Sequence, residues 1–465
     1  MRFFVFCCLS VLVLNSCRHL RYNFPNVTDY QIFPTREINA SNQPFSVPKN
    51  LYGQLPDEFL WTVSNKDGKT YSYSDPNEFL KVQGTQSLLI CRNDTLIFEK
   101  YYNNTFPNQV YTIFSVTKSF TSILTSIAIE EGYIKSVNQP VSDFIPEFKT
   151  GWKAEMTISH LLNMTSGLAE ADYKDLIRLL FFYYGKDHDK QLKKLKMRFH
   201  PGQHFQYSSM TTELLGLCLE RATGKKFDAY LKEKIWDPLG MEYRALISTD
   251  ERGNAKTFGG LSVTPIDLMK LGLLLLHNGQ WQGKQLIPVS WIEEVRCRDR
   301  HEGRSLSYSH SFWLDTYPME NVYDKNDFFA GGYGGQIVYV NPENQTVIIR
   351  TGTRETDVHW GRSLSKLSHF SFLDKPIPED DRHWKELVGS YKNQFGKEIV
   401  LFLENGKMYF KNKGENAGYE LLATSNEIFE DKQRHRKFLV EYRHRKVKGI
   451  IIDDGNSSYY FSKNE

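Results

Sequence analysis

Cysteine is scarce, with six residues in 465. Cys7, Cys8 and Cys17 crowd the N-terminus, while Cys91, Cys218 and Cys297 are widely spaced. Three such thiols form neither a disulfide framework nor a zinc set. Cys91 and Cys218 fall on apolar faces and read as small buried hydrophobes. No other metal pattern is present, because His301-Glu302 lacks a second histidine four residues on. There is no phosphate-binding glycine loop, and Gly332-Tyr333-Gly334-Gly335 breaks the dinucleotide fingerprint at Ile337. No metal and no cofactor are therefore expected. The 58 basic and 55 acidic residues leave a net charge of +3, which makes no case for nucleic acid. The basic run Lys432–Lys448 is broken by Phe438, Leu439, Val440 and Tyr442, as solvated strand faces are. The apolar run Phe3–Leu14 falls short of the roughly 20 residues that span a bilayer.

That run, preceded by Arg2, reads as a signal peptide over residues 1–16. It ends in Leu14-Asn15-Ser16-Cys17, which resembles the bacterial lipoprotein box. The resemblance implies cleavage before Cys17 and acylation of that cysteine; the plain alternative is an ordinary secretory peptide cut nearby. At about 0.8 kcal/mol per buried CH₂, several acyl chains would hold the chain on a bacterial membrane. The expected location is the cell envelope, periplasmic or surface-facing. Residues 17–50, with Pro25, Pro34, Pro44 and Pro48 amid Asn and Ser, read as a membrane tether.

The length suggests two or three domains. Strand patterns at Ser87–Cys91 and Leu96–Tyr101 flank Asn93-Asp94, a hairpin signal. A helical block follows: Ser115 to Glu131, Glu213 to Thr223 stopped by Gly224, a face of Phe227, Tyr230, Leu231 and Ile235, and a helix opened by Thr264-Pro265. Ser290-Trp-Ile-Glu293 has the spelling of a capping box. Strands return at Gln336–Val340 and Thr346–Arg350, and a last helix is expected over His359–Leu373. The expected fold is α/β (α+β), an antiparallel sheet flanked by helices with an inserted all-helical subdomain, over residues 51–375. After Lys375-Pro-Ile-Pro378 the composition changes, and Asn405-Gly406 between two apolar runs signals a hairpin. Residues 384–465 read as a small all-β module without a catalytic constellation.

Chemistry concentrates at Ser115-Val-Thr-Lys118. On a helix, residues three apart share a face, so the hydroxyl and the ammonium meet one turn apart. The serine stands in the first turn, where free N–H groups and the helix dipole favour developing negative charge. Ser-x-x-Lys also arises by chance on solvated helices, and a lysine near its ordinary pKa is a poor base at neutral pH. Tyr207, in the loop Tyr207-Ser208-Ser209 before a helix, offers a second polar group; alternatively it packs beneath that helix, with Ser209 as its N-cap. Gly331-Gly332-Tyr333-Gly334-Gly335-Gln336 lets backbone approach a ligand closely, and equally suits a tight turn.

These segments form one colinear series. Phe114–Phe120, Thr157–Leu168, Pro201–Ser209, Trp236–Met241, Gly260–Asp267 and Gly332–Gln336 together resemble the class C β-lactamase-related serine hydrolases of the penicillin-recognising superfamily. Phe114–Phe120, Leu162–Gly167 and Tyr207–Ser209 further resemble its 6-aminohexanoate-dimer hydrolase and esterase branch. The resemblance implies Ser115 as acylated nucleophile, Lys118 as its activating lysine and Tyr207 as proton relay. It places the oxyanion hole at the N–H groups of Ser115 and Gln336. It makes Tyr173, Ser209, Tyr333, Gly334 and Gly335 candidate substrate-binding residues. Tyr173 is equally a surface tyrosine. Two departures stand out: Ser209 replaces the asparagine of Tyr-x-Asn, and Tyr333 replaces the lysine that meets a β-lactam carboxylate. The loss of that cation argues against penicillins. The implied activity is hydrolysis of an ester or amide through an acyl-enzyme. A D-amino-acid peptidase, or a penicillin-binding or peptidoglycan-sensing protein with little turnover, is the alternative. The expected partner is a small-molecule ester, amide or peptide, with no nucleic acid.

Overall fold

A computed structural model describes residues 24–51, 55, 61–64, 70–73, 75–298, 301–314, 326–354, 356–368, 384–404, 407–423, 428–431, 436–443, 446–453 and 458–464. They fall into two compact units, one from residues before 47, 61–88 and 101–369, the other from residues 47–60, 89–100 and 370–465. The second unit thus takes two segments from inside the span expected to form one domain. The signal peptide and Cys17 lie outside the described residues.

The tether expectation is corrected for the described part of residues 17–50. Val27, Phe33 and Ile38 are buried, and strand β1 (Thr35–Ile38) pairs antiparallel with Ala245–Ser248, Thr35 opposite Ser248. The prolines punctuate short packed segments, because the apolar residues between them supply enough burial to fix the chain.

The first unit continues with helices α1 (Val116–Glu130), α2 (Leu176–Tyr183) and α3 (Ser209–Thr223). Then come strands β2 (Ala245–Ser248) and β3 (Leu261–Val263), helix α4 (Pro265–Leu276), strands β4 (Phe328–Gly332), β5 (Gln336–Asn341) and β6 (Thr346–Gly352), and helix α5 (Trp360–Ser368). Tyr308–Ser309, Phe312–Trp313, β4, β5 and β6 are successive antiparallel neighbours in the main sheet. A smaller sheet runs β1, β2, β3 and Tyr111–Thr112.

Helix α4 starts at Thr264-Pro265 as expected and is buried along its whole length. A Cβ on Gly272 would stand 2.3 Å from Val347 Cγ1 of β6, so glycine lets this helix lie against the sheet. Helix α1 is buried from Val116 to Ala128 despite its many hydroxyl side chains. Those hydroxyls are bonded: Ser119 Oγ donates to Ser311 O at 2.7 Å, Thr121 Oγ1 to Thr257 O at 2.8 Å and Ser122 Oγ to His310 O at 2.7 Å. A helix can be buried on all sides when its polar groups are satisfied this way. One expected cap does not form. The helix Val289–Arg296 is entered from Pro288, whose extended ψ of 138° ends the preceding chain, and Ser290 falls inside the first turn.

In the second unit, eight antiparallel strands from Gly389–Asn393 to Ser458–Lys463 close into a barrel, Tyr391 lying opposite Lys463. Alternate side chains, among them Tyr391, Leu401, Met408, Phe410 and Phe438, form its packed core. Among the described residues no helix is long and apolar enough to cross a membrane.

Candidate active site

The chain reaches Ser115 through a strained residue. Phe114 has a φ of 45°, a left-handed value that costs a bulky residue about 1–3 kcal/mol. The turn is closed at once, Val116 N donating to Ile113 O at 3.1 Å and Thr117 N to Phe114 O at 2.9 Å. Ser115 therefore sits at the cap of α1, facing a cleft of about 750 Å³.

Lys118, one turn on, is only 1 % exposed. Its Nζ donates to Ser115 Oγ at 2.9 Å, Ser209 Oγ at 3.1 Å and Phe258 O at 2.8 Å. Burial pushes the amine down to about 8, against a smaller upward pull from the Asp172 and Glu213 carboxylates. Lysine near neutrality is what the motif alone did not supply.

Tyr207 is 8 % exposed and lies under Lys118, whose Nζ is 5.2 Å from the ring centroid. Trp313 stacks on the ring at 5.3 Å and Tyr308 meets it edge-on at 5.8 Å. Burial raises the phenol well above its ordinary value, Tyr308 and Tyr173 add to this, and a hydrogen bond with Ser115 pulls the other way. The group is held protonated beside the Ser115 hydroxyl. A hydroxyl and an amine from one helical turn thus lie beside a phenol from a distant loop.

The opposite wall is the β4–β5 hairpin. Gly334 and Gly335 adopt left-handed φ values of 76° and 77° in its turn. Arg350 holds that turn from behind: its buried guanidinium lies 3.5 Å from the Trp360 ring and donates to Gly335 O at 2.6 Å and Gly334 O at 3.3 Å. Gly332 makes the close approach to Ser115, since a Cβ there would stand 2.3 Å from Ile113 O and 3.2 Å from Ser115 N. The backbone N–H of Gln336 was the expected donor to an oxyanion, but Gln336 is buried and does not line the cleft. The backbone that passes Ser115 N is Gly332–Tyr333. The three-residue turn moves this approach away from the start of β5.

The other expected residues divide. Tyr333 and Gly335 line the cleft, whereas Gly334 does not. Tyr173 also lines it, 79 % exposed, with its ring centroid 5.6 Å from that of Tyr207. Ser209 is corrected: it is buried behind the cleft, it is the first residue of α3 and not its cap, and Ser208 holds the cap position. Its hydroxyl joins Lys118 to a residue the sequence reading missed. Asp172 accepts from Ser209 Oγ at 2.6 Å and from Ser209 N at 2.9 Å. Burial raises the Asp172 carboxyl, while Lys118 and the two Ser209 bonds pull it back. Asp172 N donates to Tyr207 O at 3.0 Å, so the two loops are tied together. Spacing gave no signal for this lone carboxylate. Among the described residues no group of three His, Cys, Asp or Glu side chains stands ready for a metal ion.

Known proteins resemble this chain over the same region. The family model described as beta-lactamase matches residues 81–360, more than half of the chain. A 6-aminohexanoate-dimer hydrolase from Paenarthrobacter ureafaciens is 25% identical over 300 residues, covering 59% of this chain and 74% of the relative. Beta-lactamase-like protein 2 of Dictyostelium discoideum is 25% identical over 278 residues, 53% of this chain and 46% of the relative. A solved structure described as a 6-aminohexanoate-dimer hydrolase from Bacillus anthracis superposes with a TM-score of 0.63 at 23% identity, over 73% of this chain and 91% of that one. Its likeness bears on the fold. On the match of the family model over residues 81–360, this chain belongs to the β-lactamase family.

Proposed function

We propose that the chain is a serine hydrolase that is acylated at Ser115 by an ester or amide. The observation that carries this reading is the meeting of Lys118 Nζ, desolvated and 2.9 Å from Ser115 Oγ, with the Tyr207 ring, whose centroid lies 5.2 Å from the same Nζ. The Ser115 O–H proton passes to Lys118 as Oγ bonds to the substrate carbonyl carbon and the carbonyl pair moves to its oxygen. That oxyanion is held by the N–H groups of Ser115 and Tyr333, because the Gly332–Tyr333 backbone passes beside Ser115 N. Each such donor is worth about 10²–10³ in rate. The buried phenol then gives its proton to the leaving group and takes one from the Lys118 ammonium, so both groups return to their starting state. Water then releases the acyl group.

The cleft also favours a substrate class. Tyr173, Leu176, Leu179, Trp313, Phe329 and Trp360 give it apolar walls, and none of its described lining residues is Lys or Arg. Arg350 is buried and spent on the turn. An uncharged substrate with apolar groups beside the scissile carbonyl suits these walls better than a β-lactam or a peptide carboxylate. The test is intact-mass analysis after a fluorophosphonate probe, with turnover of p-nitrophenyl esters. One adduct on Ser115, and none on Ser115→Ala, is expected; a folded Ser115→Ala protein with wild-type-like turnover would refute the assignment. We further propose, from the sequence of residues 1–17, that the mature protein is exported to the cell envelope and acylated at Cys17. An unmodified or absent Cys17 in the mature N-terminal peptide would end that reading.

A further inference from the structure

A neutral Lys118 has two N–H bonds and one lone pair, yet three oxygens surround its nitrogen: Ser115 Oγ at 2.9 Å, Ser209 Oγ at 3.1 Å and Phe258 O at 2.8 Å. The amine is a base toward Ser115 only if its lone pair faces that hydroxyl. The Phe258 carbonyl accepts and cannot donate. The Ser209 hydroxyl could do either, and an unanchored hydroxyl would compete for the lone pair. It is anchored. Asp172 Oδ2 lies 2.6 Å from Ser209 Oγ while Asp172 Oδ1 takes the Ser209 N–H at 2.9 Å. A carboxylate only accepts, so the Ser209 proton is committed to it. Two of the three neighbours are then acceptors that take both N–H bonds of the amine, and the lone pair is left for Ser115.

Resting on the serine-hydrolase reading above, we propose that Asp172 is a positioning residue for acylation: through Ser209 it turns the lone pair of neutral Lys118 onto the Ser115 hydroxyl. The step it assists is balanced. The Ser115 O–H bond breaks, its proton forms the third N–H bond of Lys118, and the oxygen pair bonds to the substrate carbonyl. Asp172 touches no reacting atom. The fold supports the assignment independently, because the Asp172 loop is tied to the Tyr207 loop by Asp172 N to Tyr207 O at 3.0 Å and by Gln206 Nε2 to Leu168 O and Glu170 O, both at 2.9 Å. Carboxylate, hydroxyl, amine and phenol are thereby set on one framework.

The charge of Asp172 has a second effect with a definite sign. The ionisable groups facing Lys118 are Asp172, Glu213 and the Tyr207 phenol. Tyr173 and Tyr308 lie behind Tyr207, and His188 pairs with Glu213 at 2.7 Å. Asp172 favours the ammonium, so its removal lowers the proton affinity of Lys118. The acid limb of kcat/KM then moves to lower pH even as the rate falls.

The experiment is a kinetic cycle on the full chain with p-nitrophenyl acetate, using Asp172→Asn, Ser209→Ala and the double variant, each with a pH profile and a melting curve. Asp172→Asn is expected to lose about 100-fold in kcat/KM, the low end of what a positioned base contributes, with its acid limb shifted to lower pH. Ser209→Ala is expected to lose a similar factor, and the double variant no more than the worse single, since both changes cut one path. Losses that multiply would overturn the proposal. So would an acid limb that stays put in Asp172→Asn while only the melting temperature drops. Should Asp172→Asn not fold, Ser209→Ala decides alone, and activity within about threefold of wild type sinks the idea. The hydrolase reading is judged separately: it fails if Ser115→Ala still turns over the ester, whereas a wild-type-like Asp172→Asn in a Ser115-dependent enzyme removes only the positioning role.

Discussion

Replacing Lys118 by Met tests whether the amine is as desolvated as its surroundings indicate. The side chain keeps nearly the same length, so the change isolates the charge and its three hydrogen bonds. Burial takes the amine from an ordinary value of 10.5 to about 8. At 1.36 kcal/mol per pH unit, that distance is about 3 kcal/mol held against folding while the amine is charged. The folded state binds fewer protons than the unfolded state between those two values, so wild-type stability from this group rises with pH from about 8 to 10.5. Lys118→Met has no such dependence. It also leaves the Phe258 carbonyl without the amine, a loss of about 1–3 kcal/mol. At pH 7 the two effects nearly cancel or favour the variant. Well above pH 10.5 the burial penalty is gone from the wild type, and towards that pH the variant becomes the less stable by up to the hydrogen-bond loss. The assay is denaturant unfolding of both proteins at pH 7, 8, 9 and 10, with ester turnover measured in parallel and expected to vanish in the variant. A stability difference that does not change with pH would refute the claim that Lys118 is a buried amine near neutrality, and with it the base in the proposed mechanism.

Other outcomes follow from the same geometry. In the wild type, kcat/KM for a neutral ester should rise through about pH 8, where Lys118 loses its proton; a flat profile between pH 6 and 9 would assign the base elsewhere. Tyr207→Phe keeps the ring between Trp313 and Tyr308 and should cut turnover by about 10²–10⁴ while the protein stays folded. Unchanged steady-state rates would remove the phenol from the reaction. Esters with longer apolar acyl groups should have higher kcat/KM than acetate, and nitrocefin should be poor. Tyr333→Lys should improve a carboxylate-bearing substrate relative to a neutral one, and the reverse order would contradict the substrate class. Gly272→Ala should cost about 1–2 kcal/mol in melts despite alanine's better helix propensity, because its Cβ has no room against Val347. A stabilised variant would show that α4 and β6 are not so tightly packed.

Elements whose cause is local were readable from the sequence. Gly224 ends α3 with a left-handed φ of 68°, Thr264-Pro265 opens α4, and Asn93-Asp94 turn with φ of 48° and 60°. Each follows from what its own residues allow the backbone to do. Ser115 and Lys118 were equally legible, being one helical turn apart, and Tyr207 entered through a resemblance spread over many segments. Errors fell where the cause is distant. Residues 24–50 looked like a spacer until β1 met β2. Ser209 looked like a substrate contact, or else a cap, until the fold buried it with its hydroxyl donating to Asp172, 37 residues earlier. Gln336 looked like the oxyanion donor until the β4–β5 turn carried Gly332 past Ser115 N.

The amino-acid order by itself determined which residues could carry the proposed chemistry, because a hydroxyl and an amine on one helix need only 3.6-residue periodicity to meet. Only the tertiary structure decided how that amine is tuned and aimed. Its lowered proton affinity comes from burial, and the proposed direction of its lone pair rests on a carboxylate from another loop. Both depend on which atoms surround one nitrogen, and no spacing along the chain encodes that.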